Sequence, residues 1–163
     1  MSDKVPQDDA RFEDGGEAPL RLRALDTEDL AIISALCQDA VFPGSEMVWQ
    51  SRQRRFALLL NRFRWEDQPK AALRRRPVER VQSVLAIEDV GKVRSQGLSR
   101  DADTIYSLLA LQFEPTEDGM GVLTLTLAGD GAIALEVETL EVTLKDVTRP
   151  YIDPARRAPS HPD

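Results

Sequence analysis

Between Val81 and Glu138 apolar residues fall at every second position in short runs, and each run is broken by turn residues. Side chains on a strand alternate between two faces, so this period of two specifies strands with one buried face. Val81 to Asp89, Lys92 to Leu98, Ile105 to Glu114, Val122 to Ala128 and Ala132 to Glu138 all read this way. Gly129-Asp130-Gly131 joins the last two as a hairpin, because glycine reaches positive φ without steric cost. Short links between successive strands imply antiparallel pairing.

The rest of the chain is read against that pattern. Leu20 to Leu25 alternates apolar with basic residues, as a strand with one wet face does. Asp26 or Thr27 then caps a helix, with Glu28 and Asp29 in the turn where the helix dipole favours acids. Leu30, Ile33, Leu36, Cys37, Ala40 and Val41 keep helical spacing, and Pro43-Gly44 stops it. Glu46 to Gln50 and Arg54 to Trp65 read as two strands about a turn at 51–53. The second has apolar residues on both faces at its centre, as a strand covered on both sides would. Residues 66–77 read as a polar loop. Val90-Gly91 turns the chain so that Lys92 to Leu98 pairs with Val81 to Asp89. In Ile105 to Glu114, Ile105, Leu109, Leu111 and Phe113 point inward. Leu140, Leu144 and Val147 suggest a short C-terminal helix, against the β-branched Thr139, Val142 and Thr143. The expected class is α+β: a mostly antiparallel, strongly curled sheet or half-barrel of about eight strands, with one early helix and a short C-terminal helix. A terminal helix closing such a sheet would be analogous to a pleckstrin-homology barrel.

Composition divides the chain into three. Residues 1–19 carry six acids against two bases and read as a disordered acidic tail. Residues 20–147 form one folded domain, and residues 148–163, with four prolines, read as an extended tail. The single cysteine, Cys37, excludes an internal disulfide, and its place on the apolar helical stripe reads as a small buried hydrophobe. The single histidine, His161, sits between prolines near the end. One Cys and one His cannot supply an ordinary zinc site, and a tail histidine does not suit a catalytic triad. No cofactor or metal is expected, and an enzyme is disfavoured, with carboxylate, Lys and Tyr chemistry left open. The N-terminus lacks the apolar region of a secretory signal, which gives a cytoplasmic expectation.

Five strings, PLRLRALDTEDLAIISALCQDAV (19–41), RRFALLLNRFRWE (54–66), ERVQSVLAIEDVGKVRSQG (79–97), YSLLALQFEP (106–115) and GDGAIALEVETLEVTLKDV (129–147), together resemble a family of small proteobacterial cytoplasmic proteins, catalogued as domain of unknown function 2948. The resemblance spans nearly the whole folded body. It implies a bacterial housekeeping-type protein and carries no catalytic or ligand residue over to this chain.

Charge is the uneven feature. The chain totals −7, yet residues 52–80 hold ten bases against three acids, and residues 81–147 hold four against twelve. Nine of those ten bases are arginine, whose planar guanidinium forks onto carboxylate or phosphate oxygens. Strand alternation puts Arg54, Arg62 and Arg64 on the face that holds Phe56, Leu58 and Leu60. Arg74, Arg75 and Arg76 follow in the loop, then Arg80. These seven are the candidate docking residues for an anion or an acidic partner. The plain alternative is that they pair with acids of the later strands inside the fold. Glu66-Asp67 and Asp101/Asp103 read as turn residues. The expected function is a non-enzymatic interaction or accessory module that docks an acidic protein partner through 52–80, or self-associates. An anionic small-molecule or nucleic-acid binder is the alternative. Nucleic acid ranks low because Phe56, Phe63 and Trp65 look like core and not a stacking platform, and no membrane is expected.

Overall fold

A computed structural model describes residues 19–74 and 77–152; residues 1–18 and 153–163, with Arg75 and Arg76, and so most of the expected tails, lie outside the described residues. In chain order the elements are β1 (Arg21–Ala24), α1 (Thr27–Leu36), β2 (Ala40–Pro43), β3 (Met47–Gln50), β4 (Arg55–Phe63), α2 (Gln68–Leu73), β5 (Arg80–Ile87), β6 (Val90–Gln96), β7 (Ile105–Pro115), β8 (Gly121–Leu127), β9 (Ala132–Val137) and β10 (Val142–Asp146). Single 3-10 turns at Gly44–Glu46 and Trp65–Asp67 flank β3 and β4. The class is α+β, built on one unclosed ten-stranded sheet whose pairings are all antiparallel.

The strand order is β1-β10-β5-β4-β2-β7-β8-β9-β6, with β3 sharing β4's edge alongside β2. Five strands therefore separate β5 from β6, although only Glu88 and Asp89 connect them. A link that short holds the start of β6 within about 10 Å of the end of β5. Two further bonds fix this end of the sheet: Val90 N–H donates to the Arg54 carbonyl at 2.9 Å, and Glu138 N–H to the Asp89 carbonyl at 3.0 Å.

Helix α1 starts where Asp26 accepts a hydrogen bond from Asp29 N–H at 2.8 Å. Its Leu30 and Ile33, and then Cys37, enter the core formed by the inner face of the sheet. It stops sooner than its apolar spacing predicts. Asp39 takes φ of 65°, a left-handed conformation aspartate tolerates, and the chain leaves as strand β2. Ala40 thus stays buried, but on a strand.

Four further expectations are corrected. Residues 142–146 are strand β10, wedged between β1 and β5, so the helix expected over 140–147 is not formed and the pleckstrin-homology analogy loses that plug. β6 pairs with β9 and not with β5. Residues 66–77 contain α2, with Pro69 in its first turn, where a missing N–H costs nothing. In β7 a bulge between Leu108 and Ala110 shifts the alternation by one. Tyr106 and Leu108 face the core before the bulge and Leu111 after it, while Ile105 and Leu109 are exposed. The 129–131 hairpin forms as expected, with Gly129 at φ 80° and Leu127 N–H donating to the Gly131 carbonyl at 2.9 Å. Among the described residues no helix is long and apolar enough to cross a membrane.

Candidate functional site

Alternation along β4 carries Phe56, Leu58, Leu60 and Arg62 on one face, and that face is the core. Arg62 is therefore 0% exposed. A guanidinium there must have every N–H engaged, because an orphaned buried donor costs about 1–3 kcal/mol. Nε donates to Ser83 Oγ at 3.1 Å and Asp146 Oδ1 at 3.3 Å. Nη1 donates to the Phe63 carbonyl at 3.1 Å and Glu66 Oε1 at 2.9 Å. Nη2 donates to Glu66 Oε2 at 2.9 Å and to Asp146 Oδ1 and Oδ2 at 3.0 and 3.1 Å. Asp146 also accepts from Ser83 Oγ–H at 2.7 Å and from Leu20 N–H at 2.9 Å. One ion cluster thus ties together β4, β5, β10, the residue before β1 and the turn after β4.

The cluster sets its own charges. Burial opposes the Arg62 charge, but hydrogen bonding to Glu66 and the charges of Glu66 and Asp146 outweigh it, and the guanidinium pKa rises. Burial likewise opposes ionisation of Glu66, yet the Arg62 hydrogen bonds and charge hold its carboxyl below the usual range. Cys37 lies in the same interior. Burial pushes its thiol up to about 12, with Arg62 pulling against the shift and Asp146 adding to it. A thiol so placed is a packing residue and not a nucleophile.

The other candidates divide sharply. Arg64 is buried and faces Glu79 through Nη1, with Asp67 at 3.8 Å and Glu66 at 3.9 Å. Arg80 is 2% exposed; its Nε donates to Asn61 Oδ1 at 2.8 Å and its guanidinium lies 4.4 Å from the Phe63 ring centroid. Arg62, Arg64 and Arg80 are thus withdrawn from the surface, and the arginine-fringed apolar face of β4 is the inside of the protein. Its other face, Ala57, Leu59 and Asn61, is half-buried rather than covered. Arg74 is exposed at the end of α2, and Arg75 and Arg76 lie outside the described residues.

Arg54 is different. It occupies the turn before β4 at φ 57°, and its Nη2 reaches Glu138 Oε2 at 3.1 Å, with the side chains 42% and 60% exposed. Its guanidinium borders a cleft of about 590 Å3 lined also by Lys92, Met120, Gly121, Val122 and the two acids Glu136 and Glu138. Register explains the cleft. Val122, Glu136 and Lys92 form one cross-strand row on the outward face of β8, β9 and β6. At Gly121 a Cβ would stand 2.5 Å from the Phe113 ring, so the backbone lies close against its neighbour there. Met120 is 44% exposed beside it. Arg52 is exposed in the same turn as Arg54, and Arg94 is exposed on β6, 3.5 Å from Glu136. Lys92 was not among the sequence candidates, which were drawn from the basic block of 52–80 alone. A second groove of about 390 Å3 runs between Val41, Leu59 and Ile105, where Asn61 donates to Tyr151 Oη at 2.6 Å. Asp101 Oδ1 accepts from Asp103 N–H at 2.9 Å, as a turn aspartate does. Among the described residues no three Cys, His, Asp or Glu side chains gather as metal ligands.

The model of the family described as "Protein of unknown function (DUF2948)" matches residues 20–161, and the chain belongs to that family. No curated protein and no solved structure matches the chain.

Proposed function

We propose that this member of the family is an interaction or accessory module that docks an acidic protein partner at the Arg54 cleft. The observation that carries the reading is the pairing of an open apolar floor with bases free to exchange partners. Met120 and Val122 offer apolar surface to an anchoring side chain, and Arg54 and Lys92 stand at the rim, each beside a glutamate, Glu138 and Glu136. The Arg54–Glu138 pair is exposed on both sides, and such pairs contribute about 0–1 kcal/mol, so an incoming carboxylate can displace Glu138 at little cost. Arg94, two residues beyond Lys92 on β6, adds a further exposed base. An apolar centre with a polar rim is the usual anatomy of a protein contact.

The test is affinity capture with wild type, the Arg54→Glu/Lys92→Glu variant and Arg74→Glu. The reading expects proteins held by wild type and by Arg74→Glu to be lost from the double variant, and to elute as salt rises. A captured set that is the same for all three proteins refutes it.

A further inference from the structure

Resting on the docking reading, we infer that the partner presents an extended acidic segment that adds to the open edge of β6 as an eleventh strand, with its end in the Arg54 cleft. β6 closes the strand order and, among the described residues, pairs only with β9. At Val90 its backbone is tied to the Arg54 carbonyl, but from Gly91 to Gln96 no described strand lies along its other side. Six residues give an edge of about 20 Å carrying unpaired N–H and C=O groups at alternate positions. Main-chain bonds of this kind supply affinity in strand addition, and neighbouring pockets supply selectivity.

Charge decides the occupant. Lys92 and Arg94 are exposed on this edge. A second copy pairing β6 antiparallel about Val93 would set Lys92 opposite Arg94, and pairing about Arg94 would set Arg94 opposite itself. Like charges directly opposite destabilise a strand pair. A segment alternating acids with apolar residues meets the same positions with opposite charge. It continues past Gly91 into the cleft, where Lys92 and Arg54 face its carboxylates and Met120 and Val122 its apolar residue.

The probe is a synthetic eight-residue peptide alternating Glu and Val, with a Lys/Val peptide as control, followed by residue-resolved amide hydrogen exchange on the full chain. At a peptide concentration nine times its Kd, exchange of the outward amides between Gly91 and Gln96 falls about tenfold, because only the free fraction exchanges. Arg94→Glu weakens the peptide at least tenfold while far-UV circular dichroism stays unchanged. If the Glu/Val peptide binds and Arg54→Glu weakens it, but β6 amides stay unprotected, strand addition is overturned and docking at the cleft stands. If the Lys/Val peptide binds as well, or the Glu/Val peptide does not bind at 1 mM (on the order of −4 kcal/mol of binding free energy), both readings fall.

Discussion

Asp146→Asn is the sharpest test of the buried cluster. The carboxylate accepts from Arg62 Nε and Nη2, from the Ser83 hydroxyl and from Leu20 N–H. An amide keeps the shape and loses one acceptor. Turned one way, its NH2 meets Leu20 N–H; turned the other, it meets the guanidinium and Ser83. Arg62, 0% exposed, is left with Glu66 as its only anion. Removing one partner of a buried pair costs about 3–5 kcal/mol. With a urea slope of about 2 kcal/mol per molar, the unfolding midpoint falls by about 2 M. A domain is stable by only about 5–15 kcal/mol, so the variant keeps a reduced fold or none. Ser83→Ala, worth about 1 kcal/mol, stays measurable in either case. Arg62→Leu/Asp146→Leu removes both charges, and apolar replacement of a buried pair is often near neutral. The double variant should therefore be more stable than the sum of the two single losses by at least about 2 kcal/mol. A loss below about 1 kcal/mol for Asp146→Asn, or strict additivity in the cycle, refutes the view that the cluster is a closed electrostatic unit.

Glu66 predicts the acid limb. Its carboxyl pKa is lower folded than unfolded, so the unfolded state binds more protons below about 4.5, and stability is full above that value and falls as pH drops through the folded pKa. Glu66→Gln should flatten that limb in urea melts at pH 3–6. Cys37 predicts the alkaline limb with the opposite sign. Its thiol is raised from 9.0 to about 12, so stability is full below 9 and declines as pH climbs towards 12, an effect Cys37→Ser should remove. At pH 8 native Cys37 should resist a thiol reagent that titrates it fully in denaturant. Gly121→Ala drives a methyl to 2.6 Å from the Glu114 carbonyl oxygen, whereas Gly129→Ala, at φ 80° with open space around it, meets only backbone strain. Thermal melts should show the larger loss at 121, about 2–3 kcal/mol, against about 1 kcal/mol at 129; equal losses would contradict the steric account.

Local signals were legible where local physics decides. The 129–131 hairpin, the Asp26 cap, the burial of Cys37 and the alternation of β4 all followed from turn chemistry and periodicity. The alternation even placed Arg62 beside Leu60 correctly. What it did not reveal is that this face is the core, because the acid that makes burial tolerable is 84 residues away. Asp146 was itself hidden by helical spacing at 140–147, which tertiary pairing with β5 overrode. β2 was hidden in the same manner, since Ala40 and Val41 continue the helical period past a turn made at Asp39. The bulge at Leu109 is one inserted residue, and nothing in an apolar run marks it. The cleft needed the one non-local fact that β6 crosses to β9, which sets Lys92 in one row with Glu136 and Val122.

The same topology explains why the charge blocks look functional in the sequence and are mostly structural in the fold. Strands far apart in the chain are neighbours in the sheet, so the basic block of 52–80 meets acids from outside itself: Arg54 with Glu138, Arg55 with Glu88, Arg62 with Asp146. Arg23 on β1 does the same with Glu141 before β10. Among the described bases that hold an ion pair, those best suited to an outside partner are therefore the ones whose own pairing is cheapest to give up. Arg62, with five N–H groups engaged in the dry core, cannot leave without unfolding several strands. Arg54 and Arg94 each hold one exposed carboxylate, at 3.1 and 3.5 Å, and Lys92 stands opposite Glu136 in the same row. Those three border β6 and its cleft, so the docking proposed there rests on the cost of exchanging partners and not on the density of arginine in the sequence.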